Sequence, residues 1–213
     1  MLPVRLPDHP LNCLHLGDSY TIGEGVALEE SWPFQLHDLL EKQGIPIARA
    51  HILAQTGWTT TDLLQALTEA NLQPEWDLIT LCIGVNNQYQ GLEMNTFADE
   101  LQNLAMQSLS LKAGPDSIML ILSIPDWGIT PFAINRDPVA IASEIDNFNR
   151  ACARVAASEN IPFINWTSLT RSFAGKTDAF AEDGLHPSAA QYASWANFLQ
   201  TSLIHSSPAD GDE

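Results

Sequence analysis

Residues 11–25 read LNCLHLGDSYTIGEG. An apolar run, Leu11–Leu16, stops abruptly at Gly17-Asp18-Ser19, and the chain passes into small and polar residues. Two later runs have the same character: LITLCIG at 78–84 and SIMLILSI at 117–124. These two are continuous rather than alternating in hydrophobicity. That pattern fits strands covered on both faces, as in a parallel sheet. Five strands are predicted: Leu11–Leu16, Ile45–Leu53, Trp76–Ile83, Ser117–Ile124 and Ile161–Asn165.

Between the strands lie longer amphipathic stretches. Helices are predicted at Ser31–Gln43, Thr60–Asn71, Asn95–Lys112, Pro138–Asn160 and Ser188–Ile204. Ile141, Ile145, Phe148, Cys152 and Val155 recur every three or four residues, so one face of the fourth helix is buried. Tyr192, Trp195, Leu199 and Leu203 repeat the pattern in the last. Strands alternating with helices imply a doubly wound α/β fold. Five strands imply the flavodoxin-like order 2-1-3-4-5, a three-layer α/β/α sandwich.

With 213 residues, 45% of them apolar, the chain suits one domain with a core of its own. Residues 1–205 read as that domain, and SSPADGDE at 206–213 as an acidic disordered tail. Nine Lys and Arg against 26 Asp and Glu give a formal charge of −17, which repels nucleic acid and anionic membranes. No window is long and apolar enough for a membrane span, and the N-terminus lacks a signal-peptide core, so a cytoplasmic location is expected. Cys13, Cys82 and Cys152 lie far apart in apolar surroundings and read as buried, reduced thiols. The acceptor-like Asn165-Trp166-Thr167 is read as chance in the absence of a secretion signal.

In the 2-1-3-4-5 order the residues after the first three strands are neighbours, and ligands bind at that carboxyl edge. There the sequence offers Ser19, then Gly57 in Gln55-Thr56-Gly57-Trp58, then Asn86 in Gly84-Val85-Asn86-Asn87. A hydroxyl, a glycine amide and a carboxamide at one edge suit acyl transfer, which needs donors aimed at a developing oxyanion. A serine also needs a base. Of six histidines, His9 and His205 lie near the ends, His15 and His51 in strands, and His37 in a helix. His186 stands apart, in a loop before the last helix, with Asp183 three residues earlier. That spacing returns a carboxylate to the imidazole Nδ1–H. No Gly-x-Ser-x-Gly is present. Gly23-x-Gly25 lacks the third glycine of a dinucleotide fingerprint.

Taken together, these blocks resemble the SGNH (GDSL-type) hydrolases. Gly17-Asp18-Ser19-Tyr20 resembles the first block, Gly57 the second, Gly84-Val85-Asn86 the third and Asp183-Gly184-Leu185-His186-Pro187 the last, in order over nearly the whole chain. The resemblance implies a serine esterase with a Ser19-His186-Asp183 triad and an oxyanion hole built from the Ser19 N–H, the Gly57 N–H and the Asn86 side chain. It implies no metal and no organic cofactor. There is one departure: the third block commonly continues with Asp, where this chain has Asn87. For the substrate pocket, Tyr20, Trp58, Tyr89, Trp127 and Leu185 are the candidates. The segment Pro125–Pro138, carrying Trp127, Ile129, Pro131 and Phe132, is read as either a lid or one wall. The expected substrate is a small-molecule ester with a short acyl chain. The family's acetylated sugars, lysophospholipids and thioesters are alternatives, and acyl transfer or mere binding are more distant ones. No oligomeric state is indicated.

Overall fold

The computed structural model describes residues 4–205; the expected acidic tail, 206–213, lies outside the described residues. The described residues form seven strands: β1 (Val4–Leu6), β2 (Leu11–Gly17), β3 (Ile47–Ala54), β4 (Leu78–Cys82), β5 (Ile118–Leu122), β6 (Phe163–Ile164) and β7 (Leu203–His205). The main sheet is five-stranded and wholly parallel, in the order β3-β2-β4-β5-β6. This is the predicted 2-1-3-4-5 arrangement. Every residue of β4 and β5 is buried, as continuous apolar runs require of strands covered on both faces. β3 lies at the edge and is mostly exposed or half-buried.

Among the described residues, eight α-helices lie between the strands: α1 (Ser19–Ile22), α2 (Trp32–Lys42), α3 (Thr60–Glu69), α4 (Val85–Tyr89), α5 (Met94–Leu109), α6 (Pro138–Ser158), α7 (Thr167–Arg171) and α8 (Ala189–Gln200). α2 packs with α8 on one face of the sheet, and α5 packs with α3 and α6 on the other. α6 shows why a sequence pattern becomes a helix. Asp137 caps it by accepting hydrogen bonds from the Val139 and Ala140 N–H groups, and Pro138 occupies its first turn. Its predicted stripe, Ile141, Ile145, Phe148, Cys152 and Val155, is buried. The α2/α8 side is closed by aromatic packing of Trp166 on Trp32 and Trp195, with Tyr192 edge-on to Trp195. The three cysteines are buried and free.

The sequence reading carries the last helix to Ile204. α8 in fact ends at Gln200, and Leu203–His205 forms β7, paired in parallel with β1. Leu203 continues the helical spacing but is buried as a strand residue. Three-residue strands leave too little pattern for period to separate them from a helix end. The short helices α1, α4 and α7 also escape the sequence reading.

Candidate active site

The geometry begins where β2 ends. A Cβ on Gly17 would lie 2.1 Å from Thr21 Oγ1 and 2.6 Å from the Cys82 carbonyl oxygen, so only glycine lets the chain turn there. Asp18 then caps α1, its Oδ1 accepting from the Tyr20 N–H at 3.0 Å. Ser19 is thus the first helical residue, fixed between a buried strand and a capped turn. Asp18 is itself buried, and that burial raises its carboxyl to about pKa 7 against the opposing pull of backbone hydrogen bonds.

His186 arrives from the far end of the chain. Its loop is pinned by hydrogen bonds from Ala181 N–H to the His186 carbonyl and from Gly184 N–H to the Ala181 carbonyl. Asp183 Oδ1 accepts from the Leu185 and His186 N–H groups at 2.8 and 3.0 Å. Asp183 Oδ2 lies 2.6 Å from His186 Nδ1. An ionised carboxylate can only accept, so Nδ1 carries the ring proton. That leaves Nε2 to accept from Ser19 Oγ, 3.0 Å away. Partial burial alone would raise the Asp183 carboxyl, but its hydrogen bonds from the His186 ring and the two backbone N–H groups outweigh this and hold it below the usual carboxylate range. Ser19 and His186 are only 5% and 7% exposed. The Tyr20 ring packs on His186 at 5.4 Å between centroids.

Two more strand ends complete the site. Gly57 takes a left-handed φ of 84°. Among the described residues, neither its N–H nor that of Ser19 has a hydrogen-bond partner. α4 starts after Gly84, where a Cβ would lie 2.6 Å from the Phe97 ring. Asn86 Nδ2 donates to the Trp58 carbonyl at 2.9 Å, which fixes the carboxamide. Ser19, Gly57, Asn86 and His186 together line a cavity of about 180 Å³. Its walls add Tyr20, Tyr89, Trp127 and Leu185, four of the sequence candidates, Phe132 from the segment after β5, and also Thr56 and Val85. Thr56 and Val85 were not singled out in the sequence; their place beside Gly57 and Asn86 is the signal that could have found them.

Residues 15–193 match the GDSL-like lipase/acylhydrolase family. The chain belongs to that family. Membership makes it an ester-bond hydrolase, and its solved relatives share the fold. TesA superposes with a TM-score of 0.72 at 19% identity, covering 90% of this chain and 97% of that one. The acetylxylan esterase Axe2 from Geobacillus stearothermophilus gives 0.73 at 18% identity, covering 94% and 96%. The psychrotrophic esterase EstA from Pseudoalteromonas sp. gives 0.67 at 20% identity, covering 90% and 95%. No curated protein matches the chain in sequence.

One candidate, Trp58, falls outside the cavity, and one open alternative narrows. Trp58 does not line the cavity: its side chain packs half-buried on the hydrophobic core, and its contribution is the carbonyl that holds Asn86. The segment after β5 is anchored on several sides, which suits a wall rather than a lid. Trp127 Nε1 donates to Gln88 Oε1 at 2.7 Å, Phe132 N–H donates to the Gly184 carbonyl at 2.9 Å, and Arg171 Nε binds Asp126 at 2.7 Å.

The departure at Asn87 also has a structural account. Asn87 Oδ1 accepts from the Thr60 N–H at 3.0 Å, and its Nδ2 donates to Thr60 Oγ1 at 2.7 Å. The Thr60 hydroxyl donates in turn to Glu100 Oε2 at 2.5 Å. An Asp at 87 would have no proton for an oxygen already committed to Glu100. The carboxylate therefore sits on α5 and the amide on α4. Together they tie the start of α3, just after Gly57 and Trp58, to the helix that carries Asn86. Sequence alone cannot reveal this, because Glu100 is one of many acidic residues on helix surfaces.

Among the described residues no helix is long and apolar enough to cross a membrane.

Proposed function

We propose that the protein is a serine esterase that hydrolyses small carboxylic esters with short acyl chains. The carrying observation is the relay Asp183–His186–Ser19, with contacts of 2.6 and 3.0 Å, at a cavity of only about 180 Å³. Drug-sized pockets run to roughly 300–1,000 Å³. The small volume and the Val85, Trp127, Phe132 and Leu185 walls favour an acetyl or similarly short acyl group over a fatty chain.

In this reading Ser19 Oγ attacks the acyl carbonyl as His186 Nε2 takes its proton. His186 then returns that proton to the leaving alkoxide. Asp183 keeps the imidazole in the required tautomer and stabilises the imidazolium. The Ser19 and Gly57 N–H groups and the second Asn86 amide hydrogen receive the oxyanion. Removing one such donor costs roughly 3–4 kcal/mol of transition-state stabilisation. Water, activated by the same histidine, cleaves the acyl-enzyme and releases the acid.

A second reading, an acetyl-esterase acting on carbohydrate, draws support from the mouth of the cavity. Tyr89 and Phe132 are 48% and 46% exposed there, and a sugar ring can stack on such faces. The likeness to an acetylxylan esterase is compatible with this.

The test is a panel of p-nitrophenyl esters from acetate to palmitate, run beside Ser19→Ala and His186→Ala. Highest kcat/KM on the shortest esters, with both variants down by several orders of magnitude, supports the proposal. A preference for long chains refutes the acyl-length reading. Unchanged turnover in Ser19→Ala refutes the mechanism. Acetylated xylo-oligosaccharides as competing substrates separate the carbohydrate reading from the simple-ester one.

A further inference from the structure

Away from the catalytic cavity, on the face of the sheet that α2 covers, lies a second group of chemically capable side chains. Cys13 and His15 are two residues apart on β2 and therefore point to the same face. His37 reaches them from α2. The Cys13 Sγ and one nitrogen of each imidazole all lie within 4.8 Å of one another. Cys13 and His15 are fully buried, and His37 is 6% exposed. None of the three lines the catalytic cavity.

We propose that Cys13, His15 and His37 form a binding site for a thiophilic metal ion, zinc by preference. One thiolate and two imidazoles are the ligand types that zinc takes, and they exclude calcium and magnesium, which need oxygen. The rings are already oriented. His15 Nδ1 is 2.8 Å from Thr80 Oγ1, and His15 Nε2 is 2.9 Å from His37 Nε2. Metal-bound histidines characteristically use one nitrogen for the ion and hydrogen-bond through the other, and Thr80 supplies that partner for His15. Zinc–nitrogen bonds of about 2.0–2.1 Å at a tetrahedral angle need the two nitrogens roughly 3.3 Å apart, an opening of roughly 0.4 Å from the distance observed.

His37, at 6% exposed, is the least buried of the three and lies nearest to solvent. Binding displaces the single proton shared between the two Nε2 atoms. His37 stays neutral by carrying that proton on Nδ1, and the Cys13 thiol releases its own proton to solvent. Two neutral imidazoles and one thiolate leave a site charge of +1. The carboxylates of Asp77 and Asp38 lie close enough to act on Cys13 and His37 respectively, and both favour a cation there. The site would clamp α2 to the strand whose end carries Ser19.

Cobalt(II) titration of the metal-free full chain tests this without reference to activity. The expected result is one equivalent bound, with thiolate-to-cobalt charge-transfer absorption and the visible bands of a tetrahedral ion. Zinc should bleach both. Cys13→Ser should abolish the charge-transfer band, and His37→Gln should abolish or strongly weaken binding. His37→Gln changes a residue at the edge of the core, so it keeps the test available if Cys13→Ser fails to fold. Absence of a charge-transfer band in the wild type overturns the proposal. So does a band that survives in His37→Gln, which would place the metal at other residues.

Discussion

Asp18 stands one residue before the serine and carries a conflict. It is buried, yet its Oδ1 must accept a hydrogen bond to cap α1. With its carboxyl raised to about pKa 7 from an unfolded value of 3.8, the folded chain holds this proton more tightly than the unfolded chain does. The stability this group contributes is therefore complete below about pH 4 and is lost as pH rises through about 7, a swing on the order of 4 kcal/mol. Asn at this position keeps the capping oxygen and cannot ionise. Urea unfolding of Asp18→Asn and wild type at about pH 5 and about pH 8 should show the variant gaining on the wild type at the higher pH. A constant gap would contradict a buried, titrating Asp18. The motif Gly17-Asp18-Ser19 is plain in the sequence, but the protonation of its aspartate is not, because that depends on what the sheet and α8 place around it.

In the proposed mechanism, elements carry the oxyanion side of the site. The Asn87–Thr60–Glu100 chain of hydrogen bonds ties α4, α3 and α5 together. Asn87→Asp should destabilise the protein by about 1–3 kcal/mol, since it leaves two carboxylates competing for one hydroxyl proton. Adding Glu100→Gln should recover much of that loss, a coupling that a double-mutant cycle by denaturant unfolding measures. In the proposed mechanism, Glu100→Ala should lower kcat about tenfold with KM little changed, because it loosens groups that act on the transition state rather than on bound ester. In the proposed function the opposite wall sets acyl length. Phe132 lines the cavity while half-exposed, so Phe132→Ala should enlarge it and move the ester preference by a few carbons toward longer chains. At this scale the long elements were readable from periodicity, as α6 shows. The four- and five-residue helices α1 and α4 were not, because glycine-permitted turns and caps define them, not a repeating pattern.

In the whole molecule, parallel order makes chemistry out of sequence distance. Ser19 and His186 are 167 residues apart, and they meet because β2 is flanked by β3 and β4 while α8 packs back beside α2. That much follows from continuous apolar strands alternating with amphipathic helices. The closing of the chain on itself through β1 and β7 does not, since each is three residues long. Leu6 is fully buried in that closure, and Leu6→Ala should cost about 3 kcal/mol. For a chain of this size that lowers Tm by roughly 6–12 °C in a thermal melt, with kcat on short esters unchanged. The central claim is that one serine, set at the end of a buried strand, is the nucleophile. The most direct measurement is reaction with an alkyl fluorophosphonate, followed by intact-mass and peptide-mapping mass spectrometry. The account predicts a single adduct on Ser19, absent in Ser19→Ala and much slower to form in His186→Ala. Labelling of another residue, or equal labelling in Ser19→Ala, would contradict it.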